Sequence, residues 1–136
     1  MDKSAIKSVR SKNGELLFLH AHLEGDMTQF LTETQDLLQV GYIAFNKSHK
    51  VKAHRHRIRQ VTQGYAEVLY VLEGKIKYEI FDYKNVSENI SSGIAVKGDF
   101  LFIGRASHRF VASENVRMLE IKQGPYPQKD DKEIME

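Results

Sequence analysis

Along most of this chain apolar residues recur with a period of two, the spacing that sets one face of a β-strand against a core. Leu16-Leu17-Phe18-Leu19 opens the first such run, just after a turn at Lys12-Asn13-Gly14. Gly41 to Phe45 and Val51 to Arg59 read as two more strands. The strongest signal is Glu67 to Leu72, then Glu73-Gly74, then Lys75 to Phe81, which predicts a β-hairpin with a glycine turn. A polar loop from Tyr83 to Ser92 follows, and then Asp99 to Ile103, His108 to Val111 and Val116 to Ile121 read as strands. Met27 to Leu38 is the one stretch that could be helical. Phe30, Leu31, Leu37 and Leu38 fall near helical spacing there, while Thr28, Thr32 and Thr34 work against it. Short strands separated by glycine and Asx turns predict an all-β fold, a barrel or sandwich and not an α/β one, with at most one short helix near residues 27–38.

The chain has 136 residues, enough for one core and too few for two. A single domain over 1–136 is expected, with its core from about 16 to 126 and a charged tail over 127–136. With 41% hydrophobic and 28% charged residues, the composition is that of a globular domain and not of a disordered chain. There is no cysteine, so disulfides and thiolate metal sites are excluded. The opening residues carry no apolar signal run, and no stretch approaches the ~20 apolar residues that span a bilayer, so a cytoplasmic protein without membrane contact is expected. Asn85-Val86-Ser87 and Asn89-Ile90-Ser91 match the glycosylation pattern but read as polar loop. A net charge of +2 is too small to argue for nucleic acid, and the basic run from Lys47 to Arg59 lacks interleaved aromatic platforms.

Candidate chemistry gathers around histidines. His54 and His56 are two apart in a strand-like run, so both imidazoles fall on one face. Glu67 comes eleven residues later, and His108 follows the apolar run that begins at Asp99. Three imidazoles and one carboxylate suit iron, manganese, nickel, cobalt or zinc. Arg59 and Arg105 are candidates for gripping a carboxylate or phosphate of a substrate, because guanidinium binds such groups with two prongs. Tyr65, Tyr70, Tyr78, Phe100 and Phe110 read as core or pocket wall and not as catalytic groups, with Tyr70 the one taken as a substrate contact. A second pair, His20-Ala21-His22, has no carboxylate and third histidine at matching positions and reads as half-buried or surface histidines.

These residues resemble the two motifs of the cupins, G-x5-H-x-H-x3-4-E-x6-G and G-x5-P-x-G-x2-H-x3-N. Glu67-x6-Gly74 matches in full, and Gly98-x5-Gly104-x-Ala106-x-His108 follows the second motif closely. The interval from His56 to Glu67 is about seven residues longer than the motif, Gly41 lies well before His54, Gly104 and Ala106 replace a proline and a glycine, and His108 comes one residue early. The resemblance, over roughly residues 41–121, implies a cupin-type, jelly-roll-like antiparallel β-barrel. It places His54, His56, Glu67 and His108 on the family's metal-ligand positions. The ending Ile121-Lys122-Gln123-Gly124-Pro125-Tyr126 is similar to that of small bacterial cupins of surface-carbohydrate biosynthesis.

The resemblance implies a metal-dependent enzyme acting on a small polar or anionic molecule such as a sugar or sugar nucleotide. A metal-free sugar-nucleotide isomerase or epimerase, with His54 or His56 as acid and base, stands beside it, as does a non-catalytic binding or sensor module. A homodimer is expected, because exposed edge strands are commonly paired away.

Overall fold

The computed structural model describes residues 6–44, 46–50, 52, 55, 65–122, 133 and 135. Among these, ten strands form and no helix: β1 (Lys7–Arg10), β2 (Leu16–His22), β3 (Gln29–Phe30), β4 (Gly41–Tyr42), β5 (Glu67–Glu73), β6 (Lys75–Phe81), β7 (Asn89–Val96), β8 (Asp99–Ile103), β9 (Ser107–Ala112) and β10 (Arg117–Lys122). Every pairing is antiparallel. A five-stranded sheet runs β1-β2-β8-β5-β10, a three-stranded sheet runs β7-β6-β9, and β3 pairs β4. The fold is all-β, an open sandwich consistent with a jelly roll.

Alternation explains the core. Phe18, Leu69, Val71, Leu101 and Ile103 project from the five-stranded sheet and meet Ile76, Tyr78 and Ile80 of the three-stranded one. A second apolar layer covers the opposite face of the larger sheet. There Leu19, Ala21, Val68, Phe100 and Phe102 lie under Leu31, Leu37, Leu38 and Val40. The central strand β8 is therefore buried on both faces, which is why it reads as an unbroken apolar run instead of an alternating one.

Several expectations change. Residues 27–38 are not helical: apart from β3 they form turns and bends. The Thr32 hydroxyl donates to the Leu38 carbonyl at 2.9 Å and accepts from the Val40 N–H at 2.9 Å, so a side chain supplies what a helix ladder would have supplied. Asp36 holds the segment to β1 through two 3.0 Å bonds from Arg10. The leucines at near-helical spacing serve instead to roof the second apolar layer.

The predicted hairpin is also corrected. β5 pairs with β8 and β10, and β6 pairs with β7 and β9, so the two strands lie in different sheets. Gly74 alone separates them, at φ 80°, one residue fewer than the shortest common hairpin loop. It hands the chain from one sheet to the other and lets both strands bury their alternate residues in one core. The polar loop, finally, ends earlier than expected. Asn89 to Ser92 begin β7, whose polar side chains hide the strand pattern although its backbone pairs along β6. Among the described residues of the expected strand 41–45, Gly41–Tyr42 are in a strand and 43–44 are not, and the expected strand 51–59 lies outside the described residues apart from Lys52 and Arg55.

Candidate functional site

Glu67 opens β5 and shares a sheet face with Leu69 and Val71, so its side chain projects between the sheets. Only 4% of the residue is exposed. His108, on β9, stands opposite Ile80 in the other sheet. The sandwich brings the two together, with His108 Nε2 at 3.7 Å from Glu67 Oε1. The Tyr65 hydroxyl donates to Glu67 Oε2 at 2.8 Å, two residues back along the chain and on the same face. β10 adds Glu120, opposite Leu69, and Lys122, opposite Glu67.

Burial is the largest of the effects that together push the Glu67 carboxyl up to about 7. A hydrogen bond with the Glu120 carboxyl acts in the same direction, since two carboxyl groups hydrogen-bond only by sharing a proton, while the Tyr65 hydroxyl and Lys122 pull the other way. Folded Glu67 thus keeps its proton well above its ordinary value of 4.5. The stabilisation tied to the neutral form is whole below that ordinary value and is lost as pH rises through about 7. In metal-free buffer the melting temperature of the wild type should fall relative to that of Glu67→Gln between about pH 5 and about pH 8. Two parallel melting curves against pH would overturn this.

Of the other expected site residues, His54, His56 and Arg59 lie outside the described residues. Tyr70 is not brought to the pocket. It is three residues from Glu67, an odd spacing, so it faces the second apolar layer on the other side of the sheet. Arg105 lies in the turn between β8 and β9, its side chain 64% exposed and its Nε 3.5 Å from Glu15 Oε1. It stands on the rim of a cleft of about 390 Å³ whose lining includes Glu15, Leu37, Tyr65, Tyr83 and Arg105. Tyr65 belongs to both the cleft and the Glu67 cluster.

Among the described residues no three His, Asp or Glu side chains form a group that could hold a metal ion. Glu67 and His108 are two donors of the expected four. Their 3.7 Å separation is too long for a hydrogen bond and near the roughly 3.0–3.4 Å between two ligand atoms each ~2.1 Å from one ion. A carboxylate and an imidazole at that spacing suit a divalent transition metal as two of its donors.

The histidine pair at 20 and 22 gains a carboxylate that the sequence did not announce. Asp99, directly across from His22 on β8, lies with Oδ2 at 2.7 Å from His20 Nε2 and Oδ1 at 2.6 Å from His22 Nδ1. The Val96 N–H donates to it at 2.9 Å, and the hydroxyl of the buried Tyr78 lies 3.1 Å from His20 Nδ1. The imidazoles are half-buried, as expected, but they are held in a polar network at the other end of the inner face from Glu67.

Sequence reasoning missed Glu120, Lys122 and Tyr65 as neighbours of Glu67. The Tyr65-x-Glu67 spacing was a legible signal for a shared strand face; the two β10 residues depend on register and had none. No family model, no curated protein and no solved structure matches the chain.

Proposed function

We propose that this chain is a cytoplasmic, cupin-like metal-dependent enzyme that acts on a small anionic molecule. The observation that carries the reading is the meeting of Glu67 and His108, from opposite sheets, at 3.7 Å beside a cleft. His54, His56, Glu67 and His108 are the proposed ligands. A bound divalent ion would supply Lewis acidity toward an oxygen of the substrate. The chain's own part is to hold Glu67 through Tyr65, to keep Glu67 away from bulk water, and to offer positive charge from Lys122 across from Glu67 and from Arg105 on the cleft.

Elemental analysis of protein purified without added metal, followed by titration with manganese, iron, nickel and zinc salts, tests this. About one equivalent per chain is expected, with His108→Ala weakening the affinity by roughly tenfold or more and Glu67→Gln weakening it less. Circular dichroism of each variant separates lost ligation from lost fold. Wild-type metal content in both folded variants, or no metal affinity in the wild type, would overturn the reading and move it toward metal-free acid–base chemistry or a binding module.

A further inference from the structure

The cleft beside Tyr65 has features that the Glu67 cluster does not explain. Phe18, Phe100 and Phe102 are buried to within 1% of completion, whereas Tyr65 and Tyr83 keep 43% and 54% of their surface exposed, and both line this one cleft. The rim is built rigidly. Gly104 donates to the Leu17 carbonyl at 2.9 Å and accepts from the Ala106 N–H at 2.8 Å, and it approaches β2 so closely that a Cβ there would lie 2.4 Å from the Leu16 carbonyl oxygen. Arg105 is therefore presented from a fixed turn. Tyr83 is tied to the start of β9 by the Ser107 hydroxyl, which donates to its carbonyl at 3.0 Å.

From this we infer that the cleft is a recognition subsite for a small ring-bearing anion, the ring lying on Tyr65 and Tyr83 and the carboxylate or phosphate on Arg105. The phenol rings offer flat apolar surfaces that suit a sugar or an aromatic ring. Guanidinium offers paired donors to a carboxylate or phosphate. The volume of about 390 Å³ lies at the small end of ligand clefts, which excludes extended polymers from full burial. Glu15 already stands 3.5 Å from Arg105, so it competes with the incoming anion for the same donors. That competition sets a signature: removing Glu15 strengthens binding while removing Arg105 weakens it.

The inference deepens the proposed function and rests on it in one respect, that Tyr65 connects the cleft to Glu67 by its 2.8 Å hydrogen bond. The test is thermal shift and calorimetric titration of the full chain with three kinds of probe. Benzoate and glucose 1-phosphate are ring-bearing anions, acetate and inorganic phosphate are anions without a ring, and benzyl alcohol and glucose are uncharged rings. Ring-bearing anions should bind at least about tenfold tighter than both other kinds. Arg105→Ala and Tyr83→Leu should each weaken that binding by about tenfold, and Glu15→Gln should tighten it severalfold. A preference for benzoate identifies an aromatic carboxylate and one for glucose 1-phosphate a sugar phosphate, either of which supports the subsite. Ringless anions binding as well as ring-bearing ones, Arg105→Ala and Tyr83→Leu binding like wild type, or no probe binding at all would overturn it. Metal content measured on the same samples keeps the two readings apart: metal present with no probe binding sinks the cleft alone, and probe binding without metal sinks the metal site alone.

Discussion

Replacing Asp99 with alanine should destabilise the fold by about 3–5 kcal/mol. Asp99 is 4% exposed, and its two oxygens accept from three donors, the His20 and His22 imidazoles and the Val96 N–H. Alanine leaves all three without that partner on the inner face, and an unsatisfied buried polar group costs about 1–3 kcal/mol. The loss should exceed that in His20→Ala, and His20→Ala in turn should exceed His22→Ala. His20, with 18% of its side chain exposed, bridges Asp99 to the buried Tyr78, whereas His22 is 39% exposed and can turn to water. Urea unfolding of the three variants at neutral pH reads the order directly. An Asp99→Ala cost below about 1 kcal/mol, or a His22→Ala cost as large as that of Asp99→Ala, would show that the network does not hold β2 to β8.

Gly74→Ala should cost about 3 kcal/mol or more, and Gly14→Ala only about 1–2. The two glycines have nearly the same backbone, φ 80° and 86°, so the left-handed penalty is common to both. Their surroundings differ. A Cβ at Gly14 meets nothing within 4 Å, while one at Gly74 would lie 2.2 Å from the Asn115 carbonyl oxygen and 3.2 Å from Val116 Cα. Those are backbone atoms immediately before β10, and they can retreat only by moving the strand that pairs with β5. The difference between the two variants in chemical unfolding isolates the cost of crowding from that of conformation. Equal losses would mean that the turn between β5 and β6 relaxes freely.

Much of the strand content was legible because period two is a local property. Leu16 to Leu19, Asp99 to Ile103, His108 to Val111 and Val116 to Ile121 were all recognisable from their own side chains. β7 was not, since Asn89, Ser91 and Ser92 form ladder hydrogen bonds through the backbone while presenting polar side chains. The leucines of 27–38 misled for the opposite reason: they belong to a loop that roofs the second apolar layer, and a loop carries no period of its own. In the site, Glu67 and His108 were legible as a pair from their motif positions, and Tyr65 could have been added from its two-residue spacing. Tyr70 was misplaced by ignoring the same parity rule that placed His54 with His56.

By itself the sequence determined that the chain is all-β, that β5 and β6 are strands broken by a glycine, and that Glu67 shares a face with Leu69 and Val71. Each of these follows from steric preferences of neighbouring residues and holds whatever partner a strand takes. Only the tertiary structure decided that β5 and β6 separate into two sheets, that Asp99 closes on His20 and His22, and that Glu120 and Lys122 flank Glu67. Strand partners are chosen by which arrangement buries both sets of alternate side chains, here one core between the sheets and a second under residues 31–40. That choice depends on residues far apart in the chain, and a one-residue slip in register would carry Glu120 and Lys122 to the other face and away from Glu67.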